Sequence, residues 1–175
     1  MERFWNIVYY CAYKVDYKLH MAFRKIEPVS LTIRLLYKIP KFRNFQEKRG
    51  RSLLNMDKDV QDAFKRPDHG ISVIFAGGLM GLLIMILFFG LQLLYIAFIE
   101  KPKSFEQFAI IFIIYTIISV LISYIFLFRK DKYLKYFKEF DKEPRKWKIK
   151  WAWISLGVIL FPFVVMVLGF AALTP

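Results

Sequence analysis

Cysteine is nearly absent from this chain: Cys11 stands alone among 175 residues. That excludes an intrachain disulfide and any metal site built from clustered thiolates. Histidine is almost as scarce, with His20 and His69 only. Neither lies in a recognisable catalytic grouping, and a hydrolase or transferase needs a nucleophile, a base and a group that orients the base. The HExxH zinc motif, the phosphate-cradling glycine loop and the dinucleotide fingerprint are all missing. Asn55, Asp57 and Asp59 have the spacing that opens a calcium loop, but Val60 stands where the turn needs glycine and Arg66 where a glutamate must close it. The expectation is a non-enzymatic chain with no cofactor, no metal and no catalytic residue.

Acidic residues are also in short supply. Asp and Glu number 14 against 27 Lys and Arg, a net charge of +13, in a chain that is 57% hydrophobic and 19% aromatic. A soluble domain would interleave the two kinds of residue. Here they are segregated: residues 71–99, 108–128 and 151–173 contain no Asp, Glu, Lys or Arg at all. A helix needs roughly 20 apolar residues to cross a hydrocarbon layer about 30 Å thick, and one central charge would cost about 2.5–3.5 kcal/mol. The pattern predicts an all-α integral membrane protein with three transmembrane helices, preceded by a basic amphipathic helical region. Two parts follow, 1–70 as a basic cytoplasmic or interfacial region and 71–175 as the three-span bundle with a basic loop at 129–150.

The N-terminus has none of the marks of a cleaved signal, because Lys14, Asp16 and Lys18 interrupt its apolar character. It does not begin Met-Gly, and Ala172-Leu173-Thr174-Pro175 is no prenylation box. Within it Phe4, Val8, Cys11, Ala12, Val15, Leu19, Ala22, Phe23 and Ile26 recur as one helical stripe. Arg3, Lys14, Lys18 and Lys25 lie opposite, and Tyr10, Tyr13 and Tyr17 flank the stripe. Such a helix is expected to lie along a membrane face, ending at Glu27-Pro28 because a residue before proline avoids helical dihedrals. Packing on a protein partner or folding back on residues 29–39 is the competing expectation. Residues 41–51 read as a basic loop, and 57–65 as one or two helical turns.

Residues 100–107 are too few for anything but an antiparallel hairpin between the first two spans, with Ser104 and Gln107 placed as a capping box. Residues 129–150 carry 10 Lys/Arg and 4 Asp/Glu. Tyr133, Phe137 and Phe140 fall on one helical face there, so the second span is expected to continue until Pro144. Trp147, Trp151 and Trp153 cluster as a headgroup-level aromatic belt does. Short basic segments stay inside, so the N-terminus and residues 129–150 are expected on the cytoplasmic side of the cell (inner) membrane, and the C-terminus outside.

Within the spans, Gly77 and Gly81 form a G-x-x-x-G pair that lets helices approach closely. Thr116, Ser119 and Ser123 share one face and read as helix-packing hydroxyls, and Pro162 is expected to kink the third span. Arg3, Lys14, Lys18, Lys25 and the three tryptophans are the candidates for anionic lipid headgroups. Interleaved aromatic and basic residues can also bind nucleic acid, but beside a membrane attraction to headgroups is the simpler reading. The leading functional expectation is an accessory or scaffold subunit of a larger membrane complex, with protein partners. The alternatives are a membrane-acting effector (a toxin, or its immunity partner) and a small channel or transporter subunit. Ion carriers keep acidic or basic residues inside the membrane, and these spans have no Asp, Glu, Lys or Arg.

Overall fold

The computed structural model describes residues 1–23, 32, 35–50, 52–99 and 105–174. Those residues are mostly helical, joined by short turns, with no strand among them. The chain divides into two compact units, Met1–Ala12 together with Ala76–Pro175, and Tyr13–Phe75. Expectations that fall on Lys25, Ile26, Glu27-Pro28, Lys101, Lys103, Ser104 and Pro175 lie outside the described residues.

The described residues include the α-helices α1 (Glu2–Phe23), α2 (Pro40–Lys48), α3 (Leu53–Lys65), α4 (Ile71–Phe98), α5 (Phe105–Ser123), α6 (Lys132–Lys142) and α7 (Arg145–Leu173). Three of them, α4, α5 with its continuation, and α7, are long and apolar enough to cross a membrane. α7 begins at Arg145, one and a half turns before the uncharged stretch, and runs unbroken through a buried Pro162.

In the unit that holds the spans, α4 is the common partner. Phe88 stacks on Tyr115 at 5.2 Å, and Phe89 meets Phe108, Phe112 and Phe170 edge-on. With Gly81 beside Ser123 and Gly77 beside Phe128, these contacts run in opposite order along α4 and α5, so the two are antiparallel. Gly90 lies against Met166 and Leu93 against Gly169, in the same order, so α4 and α7 are parallel. The tightest backbone approach is at Gly90, where an added Cβ would stand 2.7 Å from Met166 N. Such contact needs the smallest residue, since dispersion rather than water exclusion holds apolar helices together in lipid.

α5 does not continue straight into α6. Tyr124–Phe128 forms a π-helical turn closed by the Arg129 N–H to Tyr124 O, followed by a 3₁₀ turn at Arg129–Asp131. Lys130 (φ 58°) and Asp131 (φ 50°) are both left-handed, which costs about 1–2 kcal/mol per non-glycine residue. The expected continuous second span is therefore broken at 130–131. The π turn adds a residue per turn; Leu127 is buried there, and Phe128 lies against Gly77.

In the other unit, residues 41–48, expected as loop, are helix α2. Pro40 sits at the first helical position, where its missing N–H costs nothing. Arg43 pairs with Glu47 one turn on (3.9 Å), and the Arg49 guanidinium lies 4.2 Å over Phe45. Gly50 (φ 71°) follows the helix. α3 starts earlier than expected because Ser52 caps it, accepting from the Asn55 N–H at 3.1 Å. The Tyr13 hydroxyl donates to Lys65 O, and the His20 ring lies 4.6 Å from Phe64 with Asp16 3.5 Å away.

Candidate functional site

Among the described residues, polar and charged contacts gather at the corner where residues 1–12 of α1 meet the π turn, α6 and the start of α7. Residues 4–13 carry no charge, and Ile7 through Tyr13 are all buried. A helix lying on a surface would bury one stripe and expose the rest. This one is enclosed on every side over two turns, and the apolar Val15, Leu19 and Phe23 of its second half are exposed instead.

Aromatic rings make the enclosure. Tyr9 meets Phe128, Tyr133 and Phe137 at 6.0, 5.7 and 5.2 Å, and Tyr10 meets Phe137 and Phe140 at 5.3 and 5.6 Å. The face of α6 read from the sequence, Tyr133, Phe137 and Phe140, is wholly buried. Each such ring pair contributes about 0.5–1.5 kcal/mol beyond its buried area. The ion pairs at the edge, Arg3–Glu139 and Lys132–Glu2, both at 2.8 Å, are part-exposed and contribute about 0–1 kcal/mol each. The rings therefore hold the corner, and the ion pairs set its register. The Tyr10 hydroxyl donates to Asp141 at 2.6 Å.

Asn6 has a separate task. The last carbonyls of a helix lack intrahelical partners, and Phe126 lies in the π turn that follows α5. The fully buried Asn6 donates through Nδ2 to Phe126 O at 3.1 Å and to Glu2 O at 3.0 Å. The Lys132 hydrogen bond holds the Glu2 carboxyl below its usual range. Burial pushes the Cys11 thiol up, with the neighbouring Ser155 hydroxyl acting in the opposite sense.

The residues singled out from sequence fall into distinct places. Arg3 is engaged by Glu139 and Lys14 lies 5.3 Å from the Tyr13 ring, whereas Lys18 is exposed. Trp147 lies against Phe140 and Trp151, Trp151 against Phe4, and Trp153 is 71% exposed. Thr116 and Ser119 donate to the carbonyls of Phe112 and Tyr115 one turn back, at 2.9 and 2.7 Å. Gly77 faces the Phe128 ring, and Gly81 leaves ordinary room beside Ser123. His69 pairs with Asp68 at 2.9 Å in an exposed turn. Among the described residues no three of His, Cys, Asp and Glu gather as a metal site would require. Asn6, Tyr9, Gly90 and Gly169 are missing from the sequence reading; the uncharged run 4–13 was the available signal for the first two.

No family model, curated protein or solved structure matches this chain. Its function has to be argued from the corner and the helices themselves.

The outer side of the corner is cationic. On α6, Lys135, Lys138 and Lys142 are exposed and recur at spacings of three and four, opposite the buried aromatic face. On the first turns of α7, Arg145, Lys146 and Lys150 are exposed. Lys148 donates to Asp141 O at 2.8 Å, tying the two helices together across Pro144. Two of the carboxylates of this stretch, Glu139 and Asp141, are engaged by Arg3 and Tyr10.

Proposed function

We propose that the chain is a three-span integral membrane protein of the cell (inner) membrane that acts without catalysis of its own, as an accessory or scaffold subunit of a larger assembly. The N-terminus and residues 129–150 face the cytoplasm in this reading, because basic residues concentrate there and short basic segments are retained inside. One observation carries the scaffold role. α5 and α7 leave long apolar faces uncovered, Ile113, Ile117, Val120 and Leu121 on one and Leu156, Leu160, Val164 and Val167 on the other. Within the second face Gly157 opens outward, with nothing within 4 Å of the position its Cβ would take. An outward glycine on an apolar helix is where a partner helix can approach closely.

The test is purification of the full chain in mild detergent, with mass spectrometry of what accompanies it. The expected result is a stoichiometric membrane protein partner, retained by the native chain and depleted by Gly157→Leu. Recovery of the chain alone, with growth arrest and depolarisation on expression, would instead support a membrane-acting effector.

A further inference from the structure

We infer that the cationic outer side of the α6–α7 corner is a docking surface for the phosphate-bearing headgroups of anionic phospholipid. The inference rests on the three-span reading and moves the lipid contact away from α1, where the sequence pattern first put it. α1 cannot present a helical face to a bilayer over residues 7–13, because all seven are buried. Arg3, on its basic side, is already engaged by Glu139.

The corner differs in three respects. First, its charge is sorted. Glu139 and Asp141 turn to α1, and Lys132 is taken up by Glu2, leaving Lys135, Lys138, Lys142, Arg145, Lys146 and Lys150 with no ion pair among the described residues. Glu143, half-buried in the turn between the helices, is the remaining carboxylate of residues 132–150. Second, the surface is held in place beforehand. The Phe140–Trp147 contact at 5.4 Å and the Lys148 bond to Asp141 O fix α6 against α7, so binding need not order the backbone. Third, the depth fits. Residues 145–150 of α7 precede the uncharged stretch that starts at Trp151. At about 1.5 Å per residue they rise roughly 9 Å, against a headgroup layer of about 5–8 Å per leaflet. The exposed Trp153 marks the apolar boundary of that layer. A polyanion such as RNA would satisfy the charge but not the depth or the adjoining apolar helix.

The experiment uses the full chain, delipidated in a nonionic detergent, with its tryptophans as energy-transfer donors to a dansyl-labelled lipid. Phosphatidylglycerol should half-saturate at a concentration at least about tenfold lower than phosphatidylcholine. The variant K135Q/K138Q/K142Q/R145Q/K146Q should lose that preference. The control K41Q/R43Q/K48Q/R49Q, which removes four charges elsewhere, should keep it. Equal preference in the corner variant, or equal loss in the control, would overturn the assignment. So would a single-stranded RNA probe that binds the native chain, but not the corner variant, while lipid preference is unchanged. Protection of Cys11 from a thiol reagent reports folding; should the five-fold variant lose it, the milder K138Q/K146Q reads the same preference at smaller amplitude. Resistance of the membrane-bound chain to alkaline carbonate tests the three-span reading separately, so that failure of insertion and failure of headgroup binding are distinct results.

Discussion

Replacing Gly90 by alanine tests the seam between α4 and α7. The new methyl would lie 2.7 Å from Met166 N and 2.9 Å from Met166 Cα, whereas ordinary contact begins at 3.4 Å. The obstacle is backbone, so no rotamer change relieves it, and the helices must separate by about 0.7 Å. Overfilling of this kind costs about 1–3 kcal/mol, set against alanine's helix preference of about 1 kcal/mol over glycine. Gly157→Ala carries only the second effect, because nothing lies within 4 Å of its Cβ. The difference between the two variants isolates the contact at about 2 kcal/mol, or roughly 4–8 °C in Tm for a chain of this size. Cys11, the sole cysteine and 7% exposed, is a built-in reporter: a thiol-reactive fluorophore labels it only as the fold opens. Gly169→Ala, whose methyl would stand 2.7 Å from Leu93 Cβ and 3.0 Å from Gly90 O, should give a similar loss. The two losses should not add, since they share one seam. A Gly90→Ala melting point equal to or above that of Gly157→Ala would refute the close α4–α7 approach.

Lys130→Gly should raise the melting point by the equivalent of about 0.5–1 kcal/mol, the relief of φ 58° less glycine's added chain entropy; a fall would mean that the left-handed turn is absent. Glu2 has a folded pKa held below 4.5 by Lys132, so its contribution is present above that value and lost as pH falls through the depressed one. Circular-dichroism melts from about pH 6 to about pH 3 should therefore show a decline that is smaller in Glu2→Gln. Reporter fusions should place Lys48 and Lys142 on the cytoplasmic side and Lys103 and Pro175 outside; finding Lys142 and Lys103 on one side would remove the three-span topology.

The three long helices were legible because the signal is an absence, no charge for 21 residues or more, and needs no knowledge of neighbours. The aromatic face of α6 was legible for a similar reason, since Tyr133, Phe137 and Phe140 recur at helical spacing. α2 was not. Its basic composition suggested a loop, although Lys, Arg, Gln and Glu are good helix formers. The corner was harder still. Asn6 finds Phe126 and Tyr10 finds Asp141 across 120 and 131 residues, and no local pattern encodes such pairings. The G-x-x-x-G pair drew attention to Gly77 and Gly81, yet the tightest backbone contact between spans is made by Gly90. Its partner stretch around Met166 and Gly169 lies on another helix, where spacing along one segment is silent.

The burial of residues 7–13 also sets an order of events in biosynthesis. The groups that enclose Asn6 and Tyr10 lie 120–131 residues downstream of them. At about 5–20 residues per second, α1 waits roughly 6–26 s before the groups that receive it exist. Through that interval a tyrosine-rich, uncharged segment has no final partner. Closure of the corner thus follows synthesis of α6, and a chain stalled after α5 would present α1, unburied, to chaperones and proteases.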